Sequence, residues 1–230
     1  LGKNVISVII PAFNEEDRIL QTLDGLRDIA AISEIIVVDD GSTDSTYELL
    51  RSRAGIILIR HGSNRGKGCA VKTALEYVSN EYVALLDADL CHSSSDVEKL
   101  ISYIIPGGNR MIIGRLPVPK RKGGFGIVKR LSGSGFHVLT ARRLDSLLSG
   151  QRIMPLSFLK CVEIPDGFGF EFKMTLEGVR KGLELCEVPV EMCHRETGRD
   201  FGGFVHRGRQ CKDIMSIICK ELINNKRLRS

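Results

Sequence analysis

The sequence predicts an α/β fold, a doubly wound and mostly parallel sheet flanked by helices, and three features of its 230 residues carry that prediction. Apolar runs of four to six residues recur through the first half, long enough for a buried strand and too short for a packed helix. Each is followed by a stretch with apolar residues at helical spacing, and such alternation joins parallel strands through right-handed crossovers. No Pro/Ser-rich linker, low-complexity run or internal repeat divides the chain, so residues 1–230 are expected to form one domain.

Residues 5–10 read as the first strand, ended by Pro11, and Asn14, Glu15, Glu16 and Asp17 open a helix carrying Ile19, Leu20, Leu23 and Leu26. Ile35, Ile36, Val37 and Val38 form a second strand that runs into Asp39-Asp40-Gly41-Ser42-Thr43-Asp44, where Ser42, Thr43 or Asp44 can cap the helix holding Tyr47, Leu49 and Leu50. Residues 56–59 are a third strand. After it, Asn64-Arg65-Gly66-Lys67-Gly68 leads into a helix through Ala70, Val71, Ala74, Leu75 and Val78. Tyr82 to Leu86 make the fourth strand, and Met111, Ile112 and Ile113 a further one. Beyond a Pro/Gly/basic loop at 116–126, residues 127–148 have an amphipathic helical pattern weakened by Gly133 and Gly135. Residues 168–178 enter another helix, 183–190 alternate like an edge strand, and 213–228 form an amphipathic, basic C-terminal helix.

Composition narrows the chemistry. Apolar runs fall far short of the roughly 20 residues that span a bilayer, and no signal-peptide pattern opens the sequence, so a soluble or peripheral cytoplasmic protein is expected. Seven cysteines without metal-ligand spacing read as reduced thiols. Net charge is +5, and from Lys99 to Leu144 there is no Asp or Glu, while ten residues, Arg110, Arg115, Lys129 and Arg130 among them, are cationic. Such a run implies an anionic neighbour, phosphate or a membrane surface. Nucleic acid is not expected, because few aromatics interleave with these cations.

In doubly wound sheets ligands bind beyond the carboxyl ends of the strands, so the loops at 11–17, 39–44 and 87–92 should converge. The fourth strand delivers Asp87 and Asp89 to that rim. Two carboxylates one residue apart can both turn toward one hard cation, Mg²⁺ or Mn²⁺, and the rival reading is a solvated turn. For Arg65-Gly66-Lys67-Gly68 the alternatives are an ordinary glycine turn and a lid in which Lys67 covers a sugar or diphosphate.

Pro11-Ala12-Phe13-Asn14-Glu15, the Asp39 to Asp44 loop, Asn64-Arg65-Gly66-Lys67-Gly68 and Asp87-Ala88-Asp89, in this order, closely resemble the inverting glycosyltransferases of family 2. Weaker marks extend the resemblance toward the dolichyl-phosphate mannose and glucose synthases: Asp145-Ser146-Leu147-Leu148-Ser149-Gly150-Gln151-Arg152, Gly167 to Glu171, and His194 to Asp200. The resemblance implies a GT-A fold, a Rossmann-like nucleotide-sugar domain. Residues 1–113 would be its nucleotide-sugar half and 114–230 its acceptor half. It also implies that Asp39 hydrogen-bonds the base or ribose, with Pro11, Asn14 and Glu15 beside the nucleoside and Asp40 and Gly41 shaping that loop. Arg195 would contact the donor diphosphate, and Arg115 and Arg130 the acceptor phosphate. One departure stands out: where that branch carries a Gln two residues after the second Asp, this chain has Cys91, a poor ligand for hard cations.

The acceptor sets the remaining chemistry. A hydroxyl must lose a proton, and Glu171 would then be the catalytic base, whereas a phosphate monoester is already mostly dianionic at neutral pH and needs cations instead. The basic run favours the second. The expectation is a metal-dependent enzyme that moves a hexose, with inversion, from a UDP- or GDP-sugar to a polyprenyl phosphate at the cytosolic membrane face, where it makes peripheral contact. Asp89 and Glu171 are its candidate catalytic residues, and Asp87 and Asp89 its metal ligands. A carbohydrate acceptor, or a binding module that has lost catalysis, are the alternatives.

Overall fold

The computed structural model describes residues 6–117, 125–165, 169–193 and 211–223. Among them a seven-stranded sheet has the order β3-β2-β1-β4-β6-β5-β7. The strands are β1 (Ile6–Ala12), β2 (Ile32–Asp39), β3 (Ile57–Arg60), β4 (Tyr82–Leu85), β5 (Arg110–Arg115), β6 (Arg152–Pro155) and β7 (Glu184–Pro189). The helices are α1 (Ile19–Asp24), α2 (Thr46–Arg51), α3 (Lys67–Ala74), α4 (Val97–Ile101), α5 (Phe125–Thr140), α6 (Leu156–Lys160) and α7 (Phe170–Arg180). Residues 211–223 are helical too, and are called α8 below.

β1 to β4 are mutually parallel, with β1 central between β2 and β4, as the alternation of strands and helices requires. Side chains leave each strand alternately to the two faces. Ile6, Val8 and Ile10 join Tyr82, Ala84 and Leu86 in one apolar cluster with Leu23, Leu26 and Leu100. Ile9 joins Val83 and Leu85 in a second, with Val71, Ala74 and Phe158. A third cluster lies off the sheet, where α5, α7 and α8 meet through Phe136, Phe172, Leu176, Ile214 and Ile218. The edge strand expected over 183–190 is β7, parallel to β5.

The sheet is mostly parallel, as expected, with one member that the sequence did not show, and the bounds of two helices need correction. The sheet has an antiparallel member, β6, lying between β4 and β5. Its four residues begin with a charged Arg152, so neither length nor alternation marks them as a strand. The first helix starts at Ile19 and not at Asn14, because Asn14 takes a left-handed backbone (φ 55°) and its groups bond the next loop. The helix expected over 127–148 stops at Thr140, with Ala141 at φ 58°. Gly135 does not break it. A Cβ there would lie 2.3 Å from Ile218 Cδ1, so the missing side chain lets α5 and α8 approach.

Candidate active site

The loops after β1 and β2 are knitted into one rim. The Asp40 amide donates to the Ala12 carbonyl (2.8 Å), and the Asn14 amide to Ser42 Oγ (3.0 Å). Asn14 Oδ1 accepts in return from the Thr43 amide (2.9 Å), and the Glu15 amide donates to Thr46 Oγ1 (2.8 Å). Gly41 sits at φ 74°, and a Cβ there would meet the Ser63 backbone at 2.5 Å, so only glycine serves. Pro11 does not end β1 as expected but pairs within it, opposite Val38 on β2, and Ala12 is the last residue, opposite Asp39.

Asp39 ends β2 wholly buried. Its Oδ1 accepts from the Ser42 amide (3.2 Å), while Oδ2 has no hydrogen-bond partner among the described residues. Arg60 Nε lies 3.3 Å from Oδ2, close enough to offset its charge but off the hydrogen-bonding direction, and the same guanidinium stacks 4.0 Å over the Tyr47 ring. A buried carboxylate oxygen left unmatched is costly unless a ligand supplies the donor. A cleft of about 430 Å³ opens here, lined by Gly41, Ser42, Thr43, Arg60, His61 and Gly62.

Asp40 faces the other way. Its carboxylate accepts from the amides of Arg65 (3.0 Å) and Gly66 (2.8 Å) and meets His61 Nδ1 at 2.6 Å, and His61 Nε2 reaches Thr73 Oγ1 (2.9 Å). It fixes the loop that launches α3, whose first residue is Lys67.

Lys67 gathers the acids. Its Nζ is 2.7 Å from Asp87 Oδ1 and 2.7 Å from Glu171 Oε1, and 5.9 Å over the Phe170 ring. Burial draws this ammonium toward the neutral form, but the charges of Asp87 and Glu171 more than reverse that, so its pKa stands above the ordinary lysine value. Gln151 holds Asp87 from the opposite side: its Nε2 donates to Oδ2 (2.5 Å) and its Oε1 accepts from the Asp87 amide (3.0 Å). Gly150 leaves room for that carboxylate, since a Cβ there would lie 2.4 Å from Oδ2.

Arg152, fully buried, ties the parts together. Its guanidinium donates to the carbonyls of Ser149 (2.5 Å) and Glu171 (3.2 Å) and to Thr175 Oγ1 (3.0 Å), bracing the Gln151 loop against the first turn of α7. Burial pulls its pKa down to about 10, against the opposing pull of Glu171 and Asp87, so it remains charged at neutral pH.

Most of the residues singled out from sequence therefore share one rim. Asp89, partly buried, follows Asp87 by two positions, and the turn beyond it is anchored where Thr22 Oγ1 takes the Cys91 amide (2.9 Å) and donates to the Ala88 carbonyl (2.8 Å). Arg115 ends β5 and Arg130 lies on α5, both exposed. Arg195 lies outside the described residues. Sequence reasoning gave Gln151 and Arg152 no role, although both stand in the Ser149-Gly150-Gln151-Arg152 stretch quoted above. It passed over Arg60 altogether, a cation that only the parallel pairing of β2 and β3 brings beside Asp39.

Among the described residues no three of His, Cys, Asp and Glu gather as a metal cage. Asp87 and Asp89 supply oxygen donors suited to a hard divalent ion, and both Asp87 oxygens are already held, by Lys67 and by Gln151. The pair fits as a partial site. Cys91 adds nothing to it, its Sγ lying 3.9 Å from the Asp89 carbonyl.

A mostly parallel sheet, a cleft at the β2 and β3 ends and a paired-Asp turn after β4 define a GT-A protein. The chain belongs to Glycosyl transferase family 2, whose model matches residues 7–157. It is 29% identical to the glycosyltransferase AglJ of Haloferax volcanii over 86% of this chain, and spans 66% of that relative's length. It is 26% identical to the dolichyl-phosphate beta-glucosyltransferase of Saccharomyces cerevisiae (92% of this chain, 73% of that one). With the undecaprenyl-phosphate mannosyltransferase of Micrococcus luteus it shares 27% identity (87% and 89%). In structure it is similar to the glucosyl-3-phosphoglycerate synthase of Mycobacterium tuberculosis, crystallised with Mn²⁺, UDP and phosphoglyceric acid. That likeness has a TM-score of 0.80 at 21% identity, over 95% of this chain and 78% of that one.

Proposed function

We propose that this chain transfers a hexose from a UDP- or GDP-sugar to a polyprenyl phosphate, with inversion, at the cytosolic face of a membrane. The observation that carries the reading is the meeting, at one sheet rim, of a buried carboxylate lacking a donor with a Lys67–Asp87–Glu171 cluster. Asp39 Oδ2, an acceptor left over beside the Arg60 that lines the cleft, suits an N–H of a nucleobase or a ribose hydroxyl. Asn14, Glu15 and Gly41 wall the same loop. Lys67 stands where a diphosphate would lie, beside Asp87. Asp87 and Asp89 would hold a Mg²⁺ or Mn²⁺, which when bound acts as a Lewis acid on the diphosphate. Gln151 and Arg152 keep Asp87 and the Glu171 turn in register for the acceptor to attack the anomeric carbon opposite the leaving group.

The lipid acceptor is supported by the names of the yeast and Micrococcus relatives and by charge. A phosphate acceptor is nucleophilic without a base, and Arg115 and Arg130 lie exposed in the acid-free run to receive it. Among the described residues no helix is long and apolar enough to cross a membrane. Leu131 and Val138 on α5, and Met215, Leu222 and Ile223 on α8, are exposed apolar side chains near that basic run, suited to peripheral contact with anionic lipid.

Glu171 supports a second reading. Its carboxylate lies in the cluster, where a base for a carbohydrate hydroxyl would stand. Incubation with radiolabelled UDP-glucose or GDP-mannose, Mn²⁺, polyprenyl phosphate in detergent and an oligosaccharide separates the two. Label in the organic phase, lost in Asp89→Ala, is the expected result. Label confined to the saccharide would favour the second reading, and no transfer from either donor would favour a binding module.

A further inference from the structure

We propose that the Lys67 ammonium is a built-in substitute for the divalent cation, holding the metal position closed until a nucleotide draws it away. The inference rests on the reading of Asp87 as a metal ligand.

Lys67 does a cation's work in this structure. With Nζ 2.7 Å from both Asp87 Oδ1 and Glu171 Oε1, it bridges two acids that would otherwise repel each other in a partly buried site and offsets one of their two negative charges. Asp87 does not readily turn away from it. Gln151 grips the other carboxylate oxygen and the backbone amide, so Oδ1 is left facing the ammonium. A divalent ion arriving at Asp87 therefore meets a positive charge at hydrogen-bond distance, and binding must either displace Lys67 or be compensated by an anion.

The architecture allows that displacement cheaply. Lys67 is the first residue of α3, and the loop before it is fixed by the Asp40 bonds to the Arg65 and Gly66 amides. Only the flexible four-carbon stem has to move. A diphosphate supplies the compensating anion, accepting Lys67 as the metal takes Asp87. Metal and nucleotide then bind as a coupled pair, each raising the affinity of the other by the same factor. Without nucleotide, the acids stay quenched by Lys67 and metal occupancy stays low.

The test measures metal binding, not turnover. Free Mn²⁺ is followed by its electron paramagnetic resonance signal during titration of wild type, Lys67→Gln, Lys67→Met and Lys67→Arg. Titrations are run without nucleotide and with UDP or GDP, corrected for Mn²⁺ held by free nucleotide. In the nucleotide-free protein, Lys67→Gln and Lys67→Met should bind Mn²⁺ about tenfold more tightly than wild type, and Lys67→Arg, which keeps the charge, should not. The gain that nucleotide produces should shrink by the same factor in the two neutral variants. A merely structural ion pair predicts the opposite sign, because its loss disorders Asp87 and weakens binding. Nucleotide-free affinity in both neutral variants equal to or below wild type, with Asp87→Ala abolishing binding, would overturn the inference while leaving the metal reading intact. Absence of Mn²⁺ binding by wild type even with nucleotide would overturn both.

Discussion

Replacing Arg152 by Met isolates what a single buried guanidinium does for this fold. Two large terms oppose each other. Burial depresses its pKa from 12.5 to about 10 even against the attraction of Glu171 and Asp87, a net balance on the order of 3 kcal/mol against the charged form. Against that stand bonds to the Ser149 carbonyl, the Glu171 carbonyl and Thr175 Oγ1, each from a charged donor and each contributing about 2 kcal/mol. The bonds win by about 3 kcal/mol, and Met, of similar volume, leaves the two carbonyls without a donor. For a chain of this size that balance corresponds to a fall in melting temperature of about 10 °C at pH 7, read by far-ultraviolet circular dichroism. Arg152→Lys should recover less than half of the loss, since an ammonium cannot reach both carbonyls across the gap a planar fork spans. A Met variant melting within about 2 °C of wild type would refute the claim that these bonds outweigh burial.

Other sites give independent checks. Gly150→Ala would place a Cβ 2.4 Å from Asp87 Oδ2 and displace that carboxylate from Gln151 and Lys67. Transfer should fall about 100-fold in steady-state kinetics, with little change in melting temperature. Glu221 on α8 bonds Lys173 and Arg180 of α7 at 2.6 Å each. Burial raises its carboxyl pKa, but those two cations more than reverse this, leaving it below the ordinary 4.5. A depressed acid stabilises the fold fully above its unfolded value and loses that contribution as pH falls through the folded value. Glu221→Gln should therefore lower the melting temperature by roughly 2–4 °C at pH 7, a screened interaction of about 1 kcal/mol. That gap should close as the pH is lowered through 4.5 and below. A gap that stayed constant with pH would assign the loss to packing instead.

Much of the first half of the chain was legible because its signals are local. Ile9, Val83 and Leu85 announce buried strands by alternation and run length, and each strand ends in a loop whose acids lie within a few residues. Parallel order then follows from connectivity, which brings Asp39 and Asp87 to one rim. The rest depends on distant partners. Nothing in the composition around Gln151 says that it will grip an acid 64 residues earlier, because that pairing exists only once β6 lies antiparallel to β4. Arg152 was given no role because burying an arginine is rare, and its compensation comes from carbonyls, which carry no sequence signal. Gly135 looked like a helix weakener, when its meaning lies in Ile218 on another helix.

The reversed direction of β6 has a consequence for how such chains can diverge. The polypeptide departs from the rim at Asp87 and re-enters it at Gln151, and two hydrogen bonds clasp those endpoints. Away from the Asp89 turn, β5 and Gly150, the surface loops in between form an excursion with both feet planted, so they can lengthen, shorten or change without shifting the acid at its base. A lineage could thus edit that detour while the clasp on Asp87 is inherited untouched.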